Sequence, residues 1–106
     1  MERAIVSVQG CFAGILSREA KDRYSFRYDP DYCREHPEEP VCRRMPVREE
    51  VYRSTSLFPF FGNLLSEGSN RVFQEKLHRI EPGDDFGLLL KTAGYDTIGA
   101  VTVRPL

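Results

Sequence analysis

Apolar residues alternate along the first part of the chain. Ala4, Val6 and Val8 fall on every second position before Gln9-Gly10, and Cys11, Ala13 and Ile15 do so after it. That period is the period of a β-strand. Gln9-Gly10 reads as the two-residue turn of a hairpin, because glycine adopts positive φ without steric cost. The register then pairs Val8 with Cys11, Val6 with Ala13 and Ala4 with Ile15, and turns Ile5, Phe12 and Leu16 to the opposite face. Tyr24, Phe26 and Tyr28 alternate with Ser25 and Arg27 and predict a third strand.

The pattern breaks between residues 29 and 46. Pro30, Pro37, Pro40 and Pro46 lie there among mixed charges. Proline removes backbone donors, so this stretch reads as a long loop with a short helical turn and a brief strand over 41–45. The period then changes. Leu57, Phe60, Phe61, Leu64 and Leu65 recur at i, i+3, i+4, i+7 and i+8, one face of a helix capped by Thr55 or Ser56, with Pro59 in its first turn. Ser69 or Asn70 caps a second helix whose core side is Phe73, Leu77 and Ile80. Arg71 with Glu75, and Glu75 with Arg79, support it at i, i+4. A third helix covers 85–92 with Phe86, Leu89 and Leu90 inward, and residues 98–103 form a closing strand.

Strands, then helices, then one strand describe an α+β domain. Its sheet is small and mostly antiparallel, built from the N-terminal hairpin, the third strand and the C-terminal strand. About three helices pack on one face or one end. The whole chain, 1–106, reads as a single domain.

Charge narrows the function classes. Fifteen basic and sixteen acidic residues nearly cancel, which gives no pull toward a polyanion or a membrane surface. Arg43, Arg44, Arg48 and Arg53 cluster, but Glu49 and Glu50 dilute them, so they read as a solvated face rather than a nucleic-acid site. No apolar run is long enough to span a membrane and the N-terminus does not begin like a signal peptide. The odd number of cysteines, Cys11, Cys33 and Cys42, predicts reduced thiols and a cytoplasmic setting. Cys33, His36 and Cys42 supply three zinc-type ligands where a structural site needs four, so no metal is expected.

One triplet invites a sharper reading. Asp85-Phe86-Gly87 spells the magnesium-holding motif of protein kinases. The chain holds no glycine-rich phosphate loop, no lysine-bearing strand and no catalytic loop to go with it. Asp84 as a helix cap and Asp85 at the positive end of that helix explain the triplet without chemistry. Neither His36 nor His78 has an adjacent nucleophile. The expectation is a binding or regulatory module with no catalytic, cofactor or metal residues.

Four segments carry a resemblance. "FPFFGNLLSEGSNR", residues 58–71, closely resembles the signature of the HipA N-terminal domain that runs on as F-F-x-N-L-L-P-E-G-x-N-R, with Ser66 in place of the usual proline. "FGLLLKTAGYDTIGAVTV", 86–103, is similar to that domain's closing segment, and "YSFRYDPDYC", 24–33, to its third strand and turn. Gln9, Gly10, Gly14 and Leu16 fit its opening hairpin. The family's S-L-S-L-P segment is replaced here by residues 42–46. In this family the domain precedes a serine/threonine kinase core of bacterial toxin–antitoxin operons, with a helix-turn-helix DNA-binding protein beside it. A chain ending at Leu106 resembles the stand-alone form of three-gene systems. The resemblance implies an antitoxin that binds and restrains a separately encoded HipA-like kinase core, or a subunit that completes that kinase and supports its activity. It implies contact with the DNA-binding protein only through the complex, and no direct nucleic acid. The expected contact residues are Ser66, Glu67, Gly68, Ser69, Asn70 and Arg71.

Overall fold

The computed structural model describes residues 2–65, 68–93 and 101–106. Within them, β1 (Glu2–Val8), β2 (Cys11–Ala20), β3 (Arg23–Tyr28), β4 (Tyr52–Ser54) and β5 (Val101–Pro105) form one antiparallel sheet in the order β4-β3-β2-β1-β5. The helices are α1 (Pro30–Glu35), α2 (Pro59–Gly62), α3 (Gly68–His78) and α4 (Asp85–Thr92). The fold is α+β. Of the closing strand read from sequence, 98–100 lie outside the described residues.

The hairpin turn forms at Gln9-Gly10, with φ of 51° and 83°. Two successive residues in the left-handed region match the twist of the flanking strands. Val8 pairs with Cys11 as expected, and then the register departs. A bulge between Val6 and Ser7 sets Ser7 against Phe12 and Val6 against Gly14, so that Ile5 meets Ile15 and Ala4 meets Leu16. The extra residue reverses the faces beyond it. Ala13 and Leu16 thereby both enter the core with Ala4 and Val6, all fully buried. Ile15, expected on the face of Ala4 and Val6, turns to the other face beside Ile5.

Gly14 lies on β2 opposite Tyr28 of β3. A Cβ there would sit 2.3 Å from the Arg27 carbonyl oxygen and 2.9 Å from Phe26 Cζ. Gly14→Ala is expected to destabilise by about 1–3 kcal/mol, since backbone and a packed ring must both give. Urea unfolding checks this, and an unchanged midpoint would mean the two strands separate freely there.

The core lies on one face of the sheet. Phe26, Tyr28 and Val103 from the strands, Phe61 from α2, and Phe86, Leu88 and Leu89 from α4 are all buried in it. Phe26 packs edge-on to Tyr28 at 4.8 Å and tilted to Phe61 at 5.8 Å. The first helix read from sequence is shorter than its apolar pattern. It closes after one turn, Pro59–Gly62, and Leu64 and Leu65 follow in tight turns bonded three residues back. Gly62 and Asn63 are poor helix formers, which stops propagation. Phe58, not Thr55 or Ser56, is the N-cap, and no side chain caps it. Pro59 at the first helical position sets the start instead.

Phenol groups organise the proline-rich loop. Tyr28 Oη donates to the Met45 carbonyl and accepts from Val41 N at 3.0 Å; Tyr32 Oη donates to the Glu39 carbonyl at 2.6 Å and Tyr52 Oη to that of Pro46 at 2.5 Å. Val41 and Met45 are buried, but 41–45 is not a strand. Its end groups bond to a side chain rather than to a neighbouring ladder. The short β4 instead pairs with β3 through Tyr52 and Phe26. Three residues carry too little pattern to be read as a strand from sequence.

Candidate functional site

Of the six expected contact residues, Ser66 and Glu67 lie outside the described residues. Gly68, with φ of 64°, opens α3, and Ser69 and Asn70 are exposed on its first turn. Arg71 faces inward instead. Its Nε donates to Glu75 at 3.3 Å and its terminal nitrogen to Asp85. The bond to Asp85, opposed by partial burial and helped by Glu75, holds the Arg71 guanidinium above its ordinary pKa. Arg71 thus ties α3 to the start of α4, and Gly68, Ser69 and Asn70 form the exposed end of the predicted patch.

The helix that follows is amphipathic in the reverse sense. At 100° per residue, Arg71, Gln74, Glu75 and His78 share one side, and Val72, Phe73, Lys76 and Leu77 the other. The polar side is inward: Glu75 is buried and Gln74 Oε1 is enclosed without a hydrogen-bond partner among the described residues. The apolar side is outward, with Val72 48% exposed and Phe73 and Leu77 each 62% exposed. The stripe of Phe73, Leu77 and Ile80 read from sequence therefore exists, but it does not face the core. Only Ile80, beyond the helix end, packs against the core edge. The helix stops because Arg79 takes φ of 57° and Ile80 N returns to the Glu75 carbonyl at 2.8 Å, a left-handed cap usually built on glycine.

The Asp-Phe-Gly triplet is the first turn of α4. Asp84 is the N-cap and accepts from Gly87 N at 3.0 Å. It also receives Arg18 at 2.9 Å. Asp85 receives Arg71, Phe86 is fully buried, and a Cβ on Gly87 would lie 2.4 Å from the Asp84 carboxylate. Each letter of the triplet has a packing role. Burial works against the Arg18 charge, but bonds to Glu2 and Asp84 outweigh it and raise its pKa. A cleft of about 500 Å³ opens beside this pair, lined by both charge signs, Arg18 and Lys21 against Glu81 and Asp84. Asp84→Ala is expected to cost about 1–2 kcal/mol, mostly the cap, and Asp84→Asn less, because the amide oxygen still caps. Urea unfolding of the two variants separates cap from ion pair; equal losses would show that the pair with Arg18 carries the effect.

The cysteines are thiols, Cys11 exposed and Cys33 and Cys42 half-buried. Burial, with Glu49 nearby, pushes the Cys33 thiol up, which disfavours the thiolate that a nucleophile or metal ligand needs. Among the described residues no group of three His, Cys, Asp or Glu is placed to hold a metal ion, and no helix is long and apolar enough to cross a membrane. The arginine cluster read from sequence is divided. Arg48 lies over the Tyr52 ring at 3.7 Å, while Arg53 alternates with Tyr52 and points from the other face of the sheet.

A family model described as "HipA N-terminal domain" matches residues 4–104. An uncharacterized protein of Haemophilus influenzae is 32% identical over 99 residues, covering 93% of this chain and 88% of that protein. "Putative kinase Y4mE" of Sinorhizobium fredii is 28% identical over 96 residues, and the chain spans only 23% of its length. A solved structure described as the N-terminal domain of HipA toxin superposes with a TM-score of 0.71 over the whole chain at 24% identity, covering 93% of that domain. At that identity the superposition speaks to the fold.

Proposed function

The chain belongs to the HipA N-terminal domain family, and on that premise we propose that it is a non-catalytic regulatory subunit that binds and restrains a separate HipA-like serine/threonine kinase core, as an antitoxin. The outward apolar side of α3 carries this reading. A helix that turns arginine and glutamate inward and leaves Phe73 and Leu77 in water exposes surface that ordinarily marks a protein interface. It continues directly from Gly68, Ser69 and Asn70, exposed residues of the family signature. Together with Ser66 and Glu67 these residues form the proposed contact with the kinase. Arg71, held by Glu75 and Asp85, completes the proposed contact at its inner edge.

A second reading has its own support. In the Sinorhizobium relative, a domain like this one occupies under a quarter of a longer chain named as a kinase. A separately encoded copy would then complete the kinase and sustain its activity. The experiment is reconstitution: the chain is mixed with a HipA-like kinase core lacking this domain, and complex formation and autophosphorylation are measured. Binding with loss of phosphorylation supports the antitoxin. Binding with gain of phosphorylation selects the structural subunit. Absence of a complex overturns both.

A further inference from the structure

We propose that the open face of the β-sheet is a second docking surface, separate from α3, and that it takes an acidic amphipathic helix of a protein partner. The core cluster lies wholly on the other face. On the open face the registers stack two rows across the strands. Arg3, Ser17, Ser25 and Arg53 align in one, and Arg104, Ile5, Ile15 and Arg27 in the next. Both rows therefore end in arginine, and all four arginines are exposed. Three strand spacings separate the arginines of a row, about 14 Å. Between these two lines the floor is smooth: two serines, two half-buried isoleucines outside the core, and then exposed Phe12 against Ser7.

Charge complementarity selects the occupant. The chain as a whole is nearly neutral, yet this face concentrates arginine. Arg3, Arg27 and Arg53 are in no ion pair with a described carboxylate. The acids near it lie at its two ends: Glu19, bonded by Ser25 Oγ at 3.3 Å, and Asp22 line a crevice with Arg53 at one, and Asp29 and Glu49 line crevices beside Arg27 at the other. A helix about 10–12 Å across fits between the two lines. Its apolar stripe would cover Ile5, Ile15 and Phe12, and carboxylates on its flanks would reach arginine on both sides, where bidentate pairing is available. Single-stranded nucleic acid fits less well. It needs aromatic faces for base stacking, and the floor between the arginines carries none except Phe12 at its end.

The test uses the whole chain, isotope-labelled, titrated with three probes. They are a synthetic helical peptide with a leucine stripe flanked by glutamates, the same peptide with lysines for glutamates, and oligothymidine. The acidic peptide is expected to bind, to shift the amides of Ile5, Ile15, Ser17 and Ser25, and to weaken with salt. Arg27→Glu with Arg53→Glu should raise its Kd at least about tenfold, and Arg27→Gln with Arg53→Gln, which removes charge without adding repulsion, should do so to a smaller degree. The melting temperature should not change, because both side chains are exposed. Equal binding of the lysine peptide, shifts confined to α3, or unchanged affinity in both variants overturns the proposal. So does oligothymidine bound on this face with no binding of the acidic peptide, which would assign the face to nucleic acid.

Discussion

Phe61→Ala is expected to remove about 3–5 kcal/mol of stability, the range for emptying a buried aromatic site. Phe61 is fully buried, and its ring meets Phe60 at 5.3 Å, Phe26 at 5.8 Å and Phe58 at 6.3 Å. The one-turn α2 has little intrinsic stability, so it is held by this ring rather than holding it. A small domain has about 5–15 kcal/mol in total. The urea midpoint should therefore fall by more than about 1 M, and part of the population should be unfolded without denaturant. A midpoint within error of wild type would mean that the sheet and α4 close over the gap, and that α2 is an appendage.

The second large effect concerns association. Phe73→Glu with Leu77→Glu should leave the isolated chain folded, because both side chains are mostly in water already. Binding to the HipA-like kinase core should weaken by at least about 30-fold, about 2 kcal/mol, the scale of a buried interface anchor lost to a charge. Calorimetry reads the affinity, and circular dichroism confirms the fold. Wild-type affinity in the folded double variant would remove the outward apolar side of α3 from the interface and leave the helix's exposed first turn, Gly68, Ser69 and Asn70, in it. Ser69→Trp then tests that turn separately.

These two cases show what the sequence carried. Phe61 was readable because its i, i+3, i+4 neighbours point one way and a local core exists to receive them. Phe73 and Leu77 obeyed the same rule and pointed the other way. Periodicity shows that a helix has an apolar side; it does not say whose surface covers it. Arg71 and Glu75, read as a supporting i, i+4 pair, were the signal that the polar side was in use, since Arg71 also reaches Asp85 across to α4. The cap at Asp84 and the limits of α4 were legible because capping is local chemistry. The bulge after Val6 was not, because a single extra residue is chosen by how Ala13 and Leu16 pack together, which is not a local property. The arginines of the open sheet face come from four strands far apart in sequence. They become neighbours only through register, and a chain read by composition alone cancels them against distant acids.

The tyrosine bonds of the proline-rich loop have an evolutionary consequence. Tyr28, Tyr32 and Tyr52 grip the carbonyls of Glu39, Met45 and Pro46, which every residue possesses, and the Val41 N–H, which every residue but proline possesses. Substitution within the loop leaves those grips in place. Selection would then fall on the three phenols and on the buried Val41 and Met45 rather than on the other loop side chains. Related chains should diverge in loop sequence while keeping its path, which makes the segment a place where lineages can acquire distinct surface chemistry without rebuilding the fold beneath it.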